Sequence, residues 1–169
     1  MTTLTTPPSL SVLLVDDDLA VLKSLIRVVR GPFHAHSVTS PVAALELLRA
    51  RPDDFFAIVT DVHMPEMDGA TFLHRARLIA PSARTILISG ALDADVLLRV
   101  VNGPGVFRAF LKPVPPLHLR SALEDAWRAY RGSVPASRNA ASSVGALESG
   151  LADAHAPRIR AVPGIRGER

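Results

Sequence analysis

Side chains able to do ionic chemistry recur in this sequence at one kind of position, just past an apolar run. Asp16, Asp17 and Asp18 follow residues 12–15, Asp61 follows 55–59, Ser89 follows 85–88, and Lys112 follows 106–111. Carboxylates gathered at one spot repel each other unless a cation lies between them. Hard oxygen donors select a hard cation, and Mg²⁺ typically takes one or two carboxylates together with waters and phosphate oxygens. A carboxylate can also act as a nucleophile and form an aspartyl-phosphate. A lysine ammonium and a serine hydroxyl would then suit phosphoryl oxygens, the first as a point charge and the second as a donor. Each residue also has a plain reading. Aspartate at a strand–helix junction is often an N-cap, serine there is often a turn residue, and a strand-end lysine is often merely solvated.

Which reading holds depends on whether the elements bring these positions together. The first 131 residues read as five strand–helix pairs. After the run at 12–15, Val21, Leu22, Leu25, Ile26 and Val29 fall at helical spacing. A more polar strand at 33–38 precedes a helix opened by Pro41 and carrying Ala44, Leu45 and Leu48. Phe72, Leu73 and Ala76 mark the helix after the third run. Val96, Leu97, Val100 and Val101 mark the fourth, and Leu119, Leu123, Ala126, Trp127 and Tyr130 the fifth. Such alternation predicts an α/β fold, a doubly wound parallel sheet with helices on both faces. The continuous apolar runs one, three and four suit buried central strands. The second run, with His34, His36 and Ser37, suits an edge. This matches a flavodoxin-like five-stranded sheet of order 2-1-3-4-5. Ligands bind such sheets outside the carboxyl ends of the strands, where the four runs deliver their acids, hydroxyl and ammonium.

Taken together, these segments resemble the receiver domains of two-component response regulators. Leu13-Leu14-Val15-Asp16-Asp17-Asp18 is similar to the family's first-strand acidic motif. Asp61-Val62-His63-Met64-Pro65-Glu66-Met67-Asp68-Gly69 resembles its phosphoacceptor motif, Ile88-Ser89-Gly90 its switch hydroxyl, and Leu111-Lys112-Pro113 its lysine with a usually cis proline. The resemblance implies that Asp61 is the phosphoacceptor. It implies that Asp16, Asp17, Asp61 and the backbone carbonyl of His63 hold Mg²⁺, and that Ser89 and Lys112 contact the phosphoryl group. Asp18 is assigned to the start of the first helix. The implied partners are a histidine kinase or histidine phosphotransfer protein and a downstream effector read through the fourth helix, fifth strand and fifth helix. A phosphorylation-dependent homodimer fits as well. Such a protein is not an enzyme beyond catalysing its own phosphorylation and dephosphorylation. The chain departs from the family three residues before the lysine, where the usual switch aromatic is Ala109; Gly90 replaces a commoner alanine.

Domain organisation is expected as a flexible N-terminus at 1–9, a receiver domain at 10–131 and a disordered tail at 132–169. The tail is rich in Ala, Ser, Gly, Pro and Arg, with a short helical turn expected around 146–154. The expectation is a stand-alone receiver or one lacking its output domain. No signal peptide or bilayer-length apolar run is evident, and the formal net charge of +3 does not point to nucleic acid. Cysteine is absent, which fits a reducing cytoplasm. His34 and His36 share one face of an edge strand but lack an evident third metal ligand. Trp127 and Tyr130 read as packing, and Arg158, Arg160, Arg166 and Arg169 as part of a solvated tail. Two other functions compete with this reading. Haloacid-dehalogenase-type hydrolases place their nucleophile on strand one, ahead of Thr or Val; here Leu19 and Ala20 follow Asp18. A phosphate-independent binding module would have lost an acid or the lysine, and none is lost.

Overall fold

The computed structural model describes residues 10–90 and 105–133. The five strands β1 (Ser11–Val15), β2 (His34–Val38), β3 (Phe55–Asp61), β4 (Arg84–Ser89) and β5 (Val106–Leu111) form one sheet of order β2-β1-β3-β4-β5, every neighbouring pair parallel. The described helices are α1 (Leu19–Val29), α2 (Pro41–Ala50), α3 (Gly69–Ile79) and α4 (Pro116–Ser133). The helix expected around 96–101 lies outside the described residues, so α4 is the fifth of the sequence reading.

The apolar strands take the predicted places. β1 and β3 are buried throughout, and polar β2 is an edge. Side-chain alternation divides the core in two. Val12, Leu14, Val59, Ile86 and Ile88 face α1 and α4, while Leu13, Val15, Ile58 and Leu87 face α2 and α3. Two register shifts modify this pattern, one opposite Ser11/Val12 that makes Phe56 the extra residue, and one opposite Thr85/Ile86 that does the same for Phe107. Both extra rings pack on the α1/α4 layer.

The helices begin where the sequence supplies acceptors for their first N–H groups. The Asp18 side chain accepts from Ala20 N at 2.7 Å, Ser40 Oγ from Ala43 N at 3.3 Å, and Asp68 from Thr71 N at 2.9 Å. Asp18 is therefore a helix cap, as expected of it. Each cap lies just beyond a strand's carboxyl end, so helix starts and strand ends crowd the same rim.

Candidate functional site at the carboxyl rim

β1 delivers Asp16 and Asp17 to the rim, β3 Asp61, β4 Ser89 and β5 Lys112. Backbone bonds carry the sheet ladder past its ends. Val62 N donates to Ile88 O at 3.1 Å, and Lys112 N donates to Ser89 O at 2.7 Å. The backbone of the rim is therefore an extension of the sheet.

Asp16 is 1 % exposed and Asp61 8 % exposed, so both carboxylates need partners. They share one. Lys112 Nζ lies 2.8 Å from Asp16 Oδ2 and 2.8 Å from Asp61 Oδ2. The other oxygen of each accepts a backbone N–H, Asp16 Oδ1 from Asp18 N at 2.9 Å and Asp61 Oδ1 from Val62 N at 2.7 Å. Burial works against the charge on Lys112. Its hydrogen bonds and Coulombic attraction to Asp16 and Asp61 outweigh that and hold the ammonium above the ordinary lysine range.

Asp17 is exposed, yet it offers a carboxylate oxygen to the same spot. One donor atom each from Asp16, Asp17 and Asp61 lies within 4.8 Å of the others. Among the described residues these form the one group of three or more such side chains with converging donors. An all-oxygen, all-anionic set of this size matches a hard divalent cation. His63 is exposed in the loop two residues past Asp61. Ser89 is fully buried at the end of β4.

Three supports were not legible as such in the sequence. Gly69 starts α3 with its N–H donating to Val62 O at 2.7 Å, and a Cβ there would lie 2.2 Å from Asp61 O. The Asp68-Gly69 pair was visible in the motif, but the close approach that demands glycine is not a sequence property. Thr60 Oγ1 donates to Asp61 O at 3.1 Å and contacts Met64 Sδ at 3.9 Å, tucking the loop's methionine under the strand end. Ser40 Oγ donates to Glu66 Oε2 at 2.5 Å, tying the start of α2 to the loop after Asp61.

Other candidates fall away from the rim. His34 and His36 are exposed on β2, and the His36 ring packs edge-on against Phe55 at 5.6 Å. Trp127 and Tyr130 are buried core. Ala109 pairs with Leu87, on the α2/α3 side of the sheet, whereas Phe107 and Phe110 pack on the α1/α4 layer. Neither ring therefore stands on the face that Ala109 occupies. The Lys112–Pro113 peptide is cis. The tail from residue 134, the N-terminus at 1–9 and residues 91–104 lie outside the described residues. No helix among the described residues is long and apolar enough to cross a membrane.

Comparison with known proteins places this geometry in a wide group. The family model described as "Response regulator receiver domain" matches residues 12–124. The chain is 30 % identical to the hydrogenase transcriptional regulatory protein HoxA of Bradyrhizobium diazoefficiens over 121 residues, covering 72 % of this chain and 24 % of HoxA. It is 31 % identical over 118 residues to the sensor kinase CckA of Brucella abortus, covering 69 % of this chain and 12 % of that protein. The chain thus spans a quarter or less of either relative. Among solved structures, the signal receiver domain of an HD domain-containing protein from Pseudomonas fluorescens Pf-5 superposes with a TM-score of 0.69 at 28 % identity, covering 73 % of this chain and 98 % of that one.

Proposed function

The chain belongs to the response regulator receiver family of two-component systems, and from that premise we propose that Asp61 accepts a phosphoryl group from a histidine kinase or histidine phosphotransfer protein. The observation that carries this reading is the Lys112 ammonium held 2.8 Å from both Asp16 and Asp61. In the transfer, an Asp61 oxygen bonds to phosphorus as the donor's phosphorus–nitrogen bond breaks, and the electron pair returns to the imidazole. Negative charge then moves from the Asp61 carboxylate onto the phosphoryl oxygens. Lys112 can follow it through a short shift while keeping Asp16. The Ser89 hydroxyl is assigned to the same phosphoryl oxygens from the end of β4.

Asp16, Asp17, Asp61 and the His63 carbonyl would hold Mg²⁺. When bound, the cation neutralises carboxylate and phosphoryl charge. Apart from phosphorylation and dephosphorylation of itself, the chain has no assigned turnover. HoxA and CckA differ in what they do, so the output is not carried over from either. We assign the effector surface to the fourth helix of the sequence reading together with β5 and α4, and include a phosphorylation-dependent homodimer among the partners. The cysteine-free composition suits a cytoplasmic location.

The test uses a small phosphodonor with Mg²⁺ and an acid-stable, base-labile adduct as the readout. Wild type gives the adduct and Asp61→Asn gives none; a full-strength adduct in the variant overturns the assignment. Steady turnover of a phosphate ester would favour the hydrolase reading instead. Ser89→Ala should retain the adduct but weaken the amide-exchange response of residues 92–102 to phosphorylation. A response equal to wild type there would remove Ser89 from the signal path.

A further inference from the structure

Beside the rim, along α1, runs a groove of about 720 Å³ that shares only Lys112 with the acidic site. Its walls are Val21, Leu25 and Val28 from α1, and Val114 and Leu119 from the start of α4 and the turn before it. Val21, Val28 and Val114 are only half-buried, so the groove presents apolar surface to water. The Arg27 side chain lines it. Arg120 Nη2 reaches the Val28 carbonyl at 3.4 Å, bringing a second guanidinium to the same end.

The segment after α4 matches this surface in three ways. Val144, Leu147 and Leu151 are spaced three and four apart, a spacing that would put them on one face of a helix. Three such side chains cannot form a core of their own but can fill a groove. Between Arg138 and Arg158, the residues ionised at neutral pH are Glu148 and Asp153, both acidic, in a tail whose other charges are mostly arginine. Glu148 therefore flanks the apolar stripe and complements the guanidinium groups of Arg27 and Arg120. The reach also fits. From Ser133 back to Leu119 along α4 is about 21 Å at about 1.5 Å per residue. Ten residues, the number from 134 to 143, cover at most about 33 Å when fully extended, which exceeds that distance.

We propose that residues 144–153 of this chain dock in the groove between α1 and the start of α4, apolar stripe inward and Glu148 toward Arg27. The tether makes docking intramolecular, so weak contacts suffice. The groove ends at Lys112, which puts its occupant next to the phosphoacceptor rim. The inference stands whether or not Asp61 accepts a phosphoryl group.

Because the chain has no cysteine, Ser149→Cys creates a unique attachment point for a spin label, on the side of the stripe facing away from the groove. In the full-length labelled protein, amide signals of residues 20–28 and 113–119 should lose intensity several-fold, while those of β2 and α2 keep theirs. Adding Leu147→Ala with Leu151→Ala should restore the lost signals without touching the folded domain. Arg27→Glu should weaken the effect and Glu148→Arg in the same chain should recover it. Absent or uniform broadening overturns the proposal. So does broadening that appears equally when labelled protein is mixed with unlabelled, isotope-enriched protein, which would make a second copy the occupant.

Discussion

The two ends of the sheet are built on opposite principles. At the carboxyl rim, two buried carboxylates are held by one lysine and two backbone N–H groups, with a third carboxylate exposed beside them. At the amino end, Phe56 meets Phe33 at 5.1 Å and Trp127 at 5.2 Å, and Trp127 stacks on Tyr130 at 6.0 Å. Arg84, at the start of β4, donates to the Ala129 carbonyl at 2.9 Å and closes that end against α4. Buried charge gains little net stability, because desolvation cancels much of the Coulombic attraction. Buried aromatic area stabilises outright. The comparison teaches a division of labour: the rim holds charged groups in place, and the aromatic end buries the apolar area that favours folding.

The division is sharpest in Trp127→Ala. Loss of a fully buried ring should cost about 3–5 kcal/mol in denaturant unfolding. The adduct at Asp61, measured per folded molecule, should be nearly unchanged. Equal loss of both would mean the two ends are not separable. Gly69→Ala tests the boundary from the other side. Its Cβ would lie 2.2 Å from Asp61 O, so the Asp61 backbone must move. Stability should fall by roughly 1–3 kcal/mol, as for other overpacked sites, and phosphorylation should slow along with it. A variant as stable and as reactive as wild type would show that the loop after Asp61 yields freely.

Asp17→Ala should alter stability by less than about 0.5 kcal/mol, as expected for an exposed side chain. Divalent-cation affinity, followed by chemical shifts of rim amides, should fall by about tenfold or more, given that even outer-shell partners matter at that scale. Unchanged affinity would return Asp17 to the role of a solvated acid. The smallest effect belongs to Lys112 and alkaline pH. Its folded pKa is raised above 10.5 because the attraction of Asp16 and Asp61 outweighs burial. The associated stability is fully present below 10.5 and is lost as pH rises through the folded value. Unfolding at increasing alkaline pH should therefore show a steeper loss in wild type than in Lys112→Met. Identical slopes would mean that the lysine is not held by the two acids.

Much of this was determined by the sequence itself. Apolar runs alternating with helical periods fixed five parallel strands, and the polarity of His34-Ala35-His36-Ser37 put β2 at an edge, because hydrophobic burial is written into local pattern. The strand-end positions of Asp16, Asp61, Ser89 and Lys112 followed from the same pattern. The tertiary structure alone decided who meets whom. Lys112 bridges Asp16, 96 residues away, and Asp61, 51 away. Ser40 reaches Glu66, and Gly69 closes on Asp61 O. Phe56 and Phe107 face the α1/α4 layer through register shifts that no period-two reading contains. The groove beside α1 likewise exists only because a helix and a turn more than 80 residues apart lie side by side. Local patterns report what each residue can bury, whereas contacts between distant segments depend on how the packed layers settle in ångströms, which spacing along the chain does not encode.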